Sequence, residues 1–478
     1  IRNTKDRIMV IQGAAGSGKT SVALHRIAYL LYHDRQNLKS SNILILSPNG
    51  VFSDYISHIL PELGEENIQE MSFDLFAYRK LQDTAADCED RCDQIEREMR
   101  DPKAAERFAL KQSQAFVDQM EGFALELEDE LMNFSDVSYK SFVKSESEII
   151  TLFYDKFADI PLLSRMDAVA ETFIDEIETL LNRDLPEEER IPLIEKFQKM
   201  YETMDFYVLY NRFLKKEGYQ TLPRRPLEKR KLRYEDVYPV LYLKYRLSRQ
   251  AERSNIKHLV IDEMQDYSPI QYKVIQKLYP CRKTILGDAS QSVNPYGSSN
   301  AKTIQRAFAT SEIMKLCKSY RSTFEITNLA QKIQPDKESE PVMRHGEQPD
   351  ILQFKDMEGE ISGIADLIST FKKSDYQSLG IVCKTEAQAK LLTEKLQTIC
   401  AENLHFLSNR SSVFVKGIII TSAHMAKGLE FDEVIVPQTD SKNYHSAIDR
   451  SMLYVAVTRA MHKLSLTYCG IPSLFIEV

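Results

Sequence analysis

The 478-residue sequence predicts an α/β fold interrupted by a long helical segment. Three observations predict it. Short continuous apolar runs such as Ile43-Leu44-Ile45-Leu46 and Gly417-Ile418-Ile419-Ile420 recur near both ends of the chain. Such runs suit parallel strands buried on both faces. From about residue 83 to about 215 these runs stop and glycine becomes rare. Helical spacing with dense charge takes over there, as in Ile177, Leu180 and Leu181.

The length implies several domains, about three. With 43% hydrophobic and 28% charged residues the composition is that of a globular protein. No apolar run approaches the ~20 residues that a membrane span needs, and no signal peptide is visible. The expectation is a cytoplasmic monomer with no membrane association. The chain opens on Ile1 rather than Met, so a fragment of a longer protein is expected. Of the seven cysteines, only Cys88 and Cys92 lie one helical turn apart. No second pair completes a metal site, so reduced thiols are the better reading. A net charge of −8 argues against a surface that coats nucleic acid as a whole, though not against a local groove. The absence of Trp removes one common base-stacking side chain.

The first apolar run, Ile8-Met9-Val10-Ile11, leads into Gly13-Ala14-Ala15-Gly16-Ser17-Gly18-Lys19-Thr20 and then a helix-like segment from Ser21. Strand, glycine-rich loop and helix in that order make a phosphate-binding loop. Glycines let the backbone wrap a phosphate with its N–H groups, and the helix N-terminus adds partial positive charge. Lys19 reaches the β- and γ-phosphates in such a loop, and Thr20 gives a hydroxyl to Mg²⁺. A bound nucleoside triphosphate is therefore expected.

The next run, Ile43–Leu46, ends in the turn signal Ser47-Pro48-Asn49-Gly50. Within the helical segment, Asp83 to Glu130 holds 15 acidic and 6 basic residues, a balance of −9. This is either a solvated helical face or an acidic arm that meets a basic protein surface. From Arg212 to Arg233 nine Lys or Arg stand against Glu217 and Glu228, with Tyr210, Tyr219 and Tyr234 around them. That stretch is either a solvated loop or a binder of single strands or phosphates.

Strand-like runs resume at His258-Leu259-Val260-Ile261, which delivers the adjacent carboxylates Asp262 and Glu263. One such carboxylate can hold Mg²⁺ and the other can accept a proton from an attacking water. Asp262 is assigned to the metal and Glu263 to the general base. Leu286-Gly287-Asp288-Ala289-Ser290-Gln291 brings Gln291 to a strand end, where it can help to place the water. Further on stand Ser319-Tyr320-Arg321, His424-Met425-Ala426-Lys427-Gly428-Leu429-Glu430-Phe431 and Tyr454-Val455-Ala456-Val457-Thr458-Arg459-Ala460. Each of these alone could be structural; together they form an ordered set.

The set resembles the superfamily 1 helicases of UvrD/Rep type over roughly residues 1–80 and 236–478. The resemblance implies two RecA-like P-loop NTPase domains with a largely helical insertion in the first. It places domain 1A at 1–82 and 236–305, the insertion at 83–235, and domain 2A at 306–478. It implies ATP and Mg²⁺ as cofactors, with the nucleotide held by Gly13 through Ser21. Tyr320 would stack on adenine, Glu430 beside Gly428 would contact the ribose, and Arg321 and Arg459 would contact the γ-phosphate. The glutamine that usually reads adenine in this family would lie upstream of Ile1.

Three departures accompany the match. The aromatic expected after the Ile43–Leu46 strand is replaced by Ser47-Pro48-Asn49. Motif III continues Ser292-Val293-Asn294-Pro295-Tyr296, with Asn294 at the first stacking position. Fewer than a hundred residues separate Arg321 from Val415, which leaves little room for the large accessory domain 2B. Lost stacking platforms, worth roughly 1–3 kcal/mol per base, weaken a grip on single-stranded DNA. Asp262-Glu263-Met264-Gln265-Asp266-Tyr267-Ser268-Pro269 and Lys442-Asn443-Tyr444-His445 resemble the HelD branch. That likeness implies an ATP-dependent partner of bacterial RNA polymerase with only weak or indirect contact to DNA. The alternative is a 3′→5′ single-stranded DNA translocase or helicase.

Overall fold

The computed structural model of the protein describes residues 1–14, 16–47, 68–249, 255–288, 308, 311–335, 340–400, 403–408 and 417–476. The chain divides into two compact units. One comprises Ile1–Leu75, Asn255–Ser268 and Cys281–Val478, the other Phe76–Ser254 and Pro269–Pro280.

The first unit contains two six-stranded sheets. In chain order the first sheet uses β1 (Ile8–Gly13), β2 (Ile43–Leu46), β3 (Gln69–Met71), β4 (His258–Ile261), β5 (Arg282–Gly287) and β6 (Ser311–Leu316). Their spatial order is β6-β1-β5-β4-β2-β3, with every neighbouring pair parallel. The apolar runs of β1, β2 and β4 are buried along their length, as parallel strands covered on both faces must be. Helix α1 (Lys19–His33) packs Ala23, Leu24, Ile27 and Leu31 against Met9, Ile11, Ile43 and Val260. Each such aliphatic side chain contributes about 1.5–3 kcal/mol by leaving water.

The second sheet follows with β7 (Asp350–Phe354), β8 (Leu379–Cys383), β9 (Leu404–Phe406), β10 (Ile418–Ser422), β11 (Phe431–Val436) and β12 (Ala460–Cys469). Their order is β7-β12-β11-β8-β10-β9, again all parallel. Helices Met357–Phe371 and Glu386–Ile399 cover it, burying Ile364, Ile368, Leu392 and Leu396 on Ile381, Ile418 and Ile420. Among the described residues, the interval between Arg321 and β10 is filled by elements of this sheet and by the helix Phe324–Ile333.

Two expected boundaries shift. β6 pairs with β1 in register, Val10 opposite Ile313, so the first sheet continues past residue 306. As an edge strand it exposes Glu312, Met314 and Lys315, and it lacks the continuous apolar run that marks the central strands. The helical unit likewise extends beyond 83–235. Helix Tyr234–Leu247 is buried on nearly all sides and packs on the helices Pro102–Lys111, Gln114–Glu130 and Phe206–Lys216 of that unit. A helix apolar all round belongs inside a core rather than over a sheet face.

The helical unit also holds short strands that periodicity did not signal. Asp87–Cys88 pairs with Lys231–Leu232, and Val137–Tyr139 forms a hairpin with Phe142–Lys144. Its core includes many aromatics, with Phe116 edge-on to Phe213 at 5.3 Å and Phe123 at 5.5 Å from Phe213. Much of the acidic excess and of the basic stretch is spent internally. Arg212 pairs with Glu130 and Glu202, Lys216 with Glu126, Arg230 with Asp205 and Lys231 with Asp87. Three of these pairs, Arg212–Glu130, Lys216–Glu126 and Lys231–Asp87, join the basic run to the acidic one, so neither is wholly the free arm or free loop that composition suggests. Among the described residues, no helix is long and apolar enough to cross a membrane.

Candidate nucleotide-binding site

β1 ends at Gly13, and the loop that follows enters α1 at Lys19. Gly16 and Gly18 both have a left-handed backbone (φ 71 and 77). At Gly16 a side chain is excluded twice over, because a Cβ would lie 2.4 Å from the Cβ of Arg321. Gly18 caps α1 without any side-chain hydrogen bond, and the first turn of the helix carries no acidic residue. The N–H groups at Lys19, Thr20 and Ser21 therefore face the loop with the helix dipole behind them. Ser17 is buried, and among the described residues its Oγ has no hydrogen-bond partner. Lys19 folds back into its own loop, donating from Nζ to the carbonyl oxygens of Gly13 (2.7 Å) and Ala14 (2.9 Å). Burial holds its pKa below the ordinary lysine value, against the pull of Asp288, Glu263 and Asp262.

The acidic pair stands at the end of β4, and the Asp262 N–H donates to Leu46 O of β2 at 2.9 Å. Asp262 is buried, and burial together with the neighbouring Glu263 charge raises its carboxyl above the usual carboxylate range. A cation there would remove that penalty. The donor set of one carboxylate, the Thr20 hydroxyl, phosphate oxygens and water suits Mg²⁺, which keeps several non-protein oxygens. Among the described residues no group of three or more His, Cys, Asp or Glu could hold a metal by itself. Glu263 has a left-handed backbone (φ 51), which is uncommon for a non-glycine residue. Gln265 donates from Nε2 to that carboxylate and accepts at Oε1 from the Asp288 N–H at 3.0 Å.

The loop after β10 supplies a residue to which the sequence reading gave no role. Lys427 is buried, with its Nζ 2.6 Å from Asp266 Oδ2 and 3.5 Å from Glu263 Oε2. Its place within the segment His424–Phe431 was visible, but its hydrogen-bond partner Asp266 lies 161 positions away in sequence. Arg321 ion-pairs with Glu430, so these two side chains hold each other in this structure. Arg459 is fully buried at the C-terminal end of the helix Ala447–Val457. It donates to Val455 O at 3.0 Å and Thr458 Oγ1 at 3.1 Å. Burial, with the Arg321 charge nearby, lowers its pKa to about 10. Tyr320 is 60% exposed, and its N–H is anchored on Gly16 O at 2.9 Å. Gly428 takes φ 86 in the same loop as Glu430.

The structure thus gathers Lys19, Asp262, Glu263, Arg321, Glu430 and Arg459 into one electrostatic neighbourhood drawn from both sheets. Ala15 and Gln291 lie outside the described residues, as do Pro48, Asn49, Asn294 and Tyr296.

A phosphate loop beside an acidic strand end in a parallel sheet defines a nucleotide-binding α/β protein. Residues 1–311 match the family model for the UvrD/REP helicase N-terminal domain, and residues 417–467 that for the UvrD-like helicase C-terminal domain; the chain belongs to the UvrD/Rep helicase family. It is 24% identical over 208 residues to ATP-dependent DNA helicase Rep of Buchnera aphidicola subsp. Baizongia pistaciae, covering 40% of this chain and 29% of that one. It is 28% identical over 151 residues to the putative ATP-dependent DNA helicase YjcD of Bacillus subtilis, covering 30% and 18%. Similarity to ATP-dependent DNA helicase srs2 of Schizosaccharomyces pombe is 35% over 92 residues, or 18% of this chain and 10% of that one. The chain thus spans less than a third of the length of these relatives. Among solved structures, the C-terminal domain of a possible DNA helicase from Lactobacillus plantarum matches 33% of this chain and 92% of its own, at 29% identity and a TM-score of 0.29.

Proposed function

We propose that this chain is an ATP-driven motor of UvrD/Rep type that translocates 3′→5′ on single-stranded DNA, with its nucleotide between two RecA-like domains. The observation that carries the reading is the neighbourhood of Lys19, Asp262 and Glu263 with Arg321 and Arg459, cationic groups that a P-loop sheet alone does not supply. ATP with Mg²⁺, when bound, supplies a phosphoanhydride bond whose cleavage is mostly a matter of positioning and charge. The amides of Gly16 to Ser21 hold the phosphates, and Lys19 exchanges its two carbonyl partners for phosphate oxygens. Thr20 and Asp262 would hold the Mg²⁺. Glu263 takes the proton from water at its carboxylate, steadied by Gln265 and Lys427. Arg321 leaves Glu430 to meet transition-state charge, which frees Glu430 for the ribose, and Arg459 adds a second positive group. Arginines in that role are worth about 10³–10⁵ in rate. Gln291 would help to place the water.

The test is phosphate release with and without a single-stranded dT oligomer, combined with displacement of a strand from a 3′-tailed duplex. Stimulation by the oligomer and displacement from the 3′ tail are expected, and both vanish in Lys19→Ala. Turnover indifferent to DNA, with no displacement, sinks the reading.

One observation favours a second reading, an ATP-dependent remodeller of bacterial RNA polymerase like HelD. Between Arg321 and β10 the described residues hold no accessory domain, whereas the helical unit Phe76–Ser254 is large. Co-purification with RNA polymerase, joined to turnover that DNA barely changes, would move the assignment to this reading.

A further inference from the structure

The helical unit contains a cavity of about 600 Å³, within the size range of small-ligand sites (about 300–1,000 Å³). Its lining is unusually cationic. Arg97, Arg107 and Lys111 come from the helices Arg91–Arg100 and Pro102–Lys111, and Arg225, Lys231 and Arg233 come from the basic stretch. Three carboxylates share the lining: Glu89, Glu235 and Asp236. Glu235 is fully buried and has four cations within reach: Arg97 (2.8 Å), Arg107 (3.6 Å), Lys111 (3.8 Å) and Arg233 (3.9 Å). Lys111 also meets Asp236 at 2.5 Å, and Arg97 meets Glu89 at 2.9 Å. Outside the lining, Asp101 and Asp87 take part of the charge of Arg107 and Lys231. Arg225 is exposed, with no carboxylate among the described residues within 4 Å of it.

Six cations line the cavity against three carboxylates, and with Asp101 and Asp87 counted one positive charge is left over. The network is also incomplete in its hydrogen bonds. Arg107 Nε and Glu235 Oε1 face each other at 3.6 Å, just beyond hydrogen-bond reach, and among the described residues Arg97 Nε is a buried donor without an acceptor and Asp236 Oδ2 a buried acceptor without a donor. Native cores leave few such groups, and a bound water, ion or ligand is one way to satisfy those that persist. An occupant that suits the surplus offers negative oxygens to the arginines and N–H or O–H groups to the carboxylates. A phosphate joined to a sugar and a base has both.

We propose that this cavity binds a nucleoside phosphate, either as a free nucleotide or as the 5′-phosphorylated end of a nucleic acid strand. Arg225, Lys231 and Arg233 would engage the phosphate at the rim, and the Glu235–Asp236 floor would meet the donors of the sugar or base. This site is separate from the phosphate loop and does not depend on the motor reading.

The experiment is calorimetric titration of the full chain carrying Lys19→Ala, which weakens the phosphate loop. The probes are AMP, GMP, inorganic phosphate and a 5′-phosphorylated dT oligomer beside its unphosphorylated form. Saturable binding is expected, weakened about tenfold or more by Arg225→Glu with Lys231→Glu, as loss of charge-assisted hydrogen bonds requires. Both positions are exposed, and an unchanged thermal midpoint checks the fold. Binding by the mononucleotides identifies a free nucleotide; binding only by the phosphorylated oligomer identifies a strand end. Binding indifferent to the charge reversal, inorganic phosphate bound as tightly as the nucleotide, or no binding overturns the proposal.

Discussion

Glu263 holds a left-handed backbone that costs a non-glycine residue of order 1–3 kcal/mol, and the strain lies at the residue proposed to accept the proton of water. Glu263→Gln keeps the shape and the Gln265 contact but removes the base. It should lower ATP turnover about 10²–10⁴-fold with little change in nucleotide affinity, read by phosphate release and by titration with a non-hydrolysable analogue. An unchanged rate would move the base elsewhere. At the start of β4, His258 is buried against Thr284 Oγ1 at 2.9 Å. Burial, then the charges of Arg26, Arg282 and Lys283, lower its pKa to about 3. The unfolded chain takes up this proton near pH 6.5, whereas the folded chain resists it until about pH 3. Stability from this group is therefore whole above pH 6.5 and falls as pH drops through that window, at up to about 1.4 kcal/mol per unit. His258→Gln should flatten the urea midpoint between pH 6 and 4 relative to the parent. Parallel profiles for the two proteins would show that the histidine is protonated when folded.

Elements meet at the site through buried charge as well as through apolar packing. The loop after β10 reaches the turn after β4 through Lys427 and Asp266, both nearly inaccessible. Removing one partner of such a pair strands the other, so Lys427→Met should cost about 3–5 kcal/mol in urea unfolding. Asp266→Asn added to it should cost less than the sum of the single changes by about 0.5–3 kcal/mol. Additive costs would mean that the two loops are held by something else. The same bridge approaches Glu263, so the ends of two strands in different sheets are tied at the carboxylate where water would be activated.

At the scale of the whole molecule, the α/β unit and the helical unit are each compact and each bury their own apolar side chains, with aliphatic clusters in the first and many aromatics among the aliphatics of the second. Separate cores predict more than one calorimetric transition. A non-hydrolysable ATP analogue at a hundred times its Kd should stabilise the unit that holds the phosphate loop by about 2.7 kcal/mol and leave the other transition in place. One transition that moves as a whole would show that the two units unfold together. A nucleoside phosphate in the helical cavity would instead raise the second transition.

The sequence by itself determined the parallel strands, the phosphate loop and the acidic pair. Each is a local pattern: a run such as Ile43–Leu46 has to be buried on both faces, and glycines must stand where the backbone at Gly16 and Gly18 turns left-handed. It also marked the three segments from which Arg321, Lys427, Glu430 and Arg459 come. Tertiary structure decided what those residues touch. That Lys427 meets Asp266 and that Arg321 meets Glu430 follows from chain reversals over more than a hundred residues, which no periodicity encodes. β6 escaped notice because an edge strand needs only one covered face, and helix Tyr234–Leu247 was misplaced because burial does not say which core does the burying. The acidic and basic runs were legible as charge, but only folding set Arg212 on Glu130 and Lys216 on Glu126 and put Arg225, Lys231 and Arg233 at a cavity. Composition fixes how much charge a chain carries; its field depends on distances, and those are set by the fold.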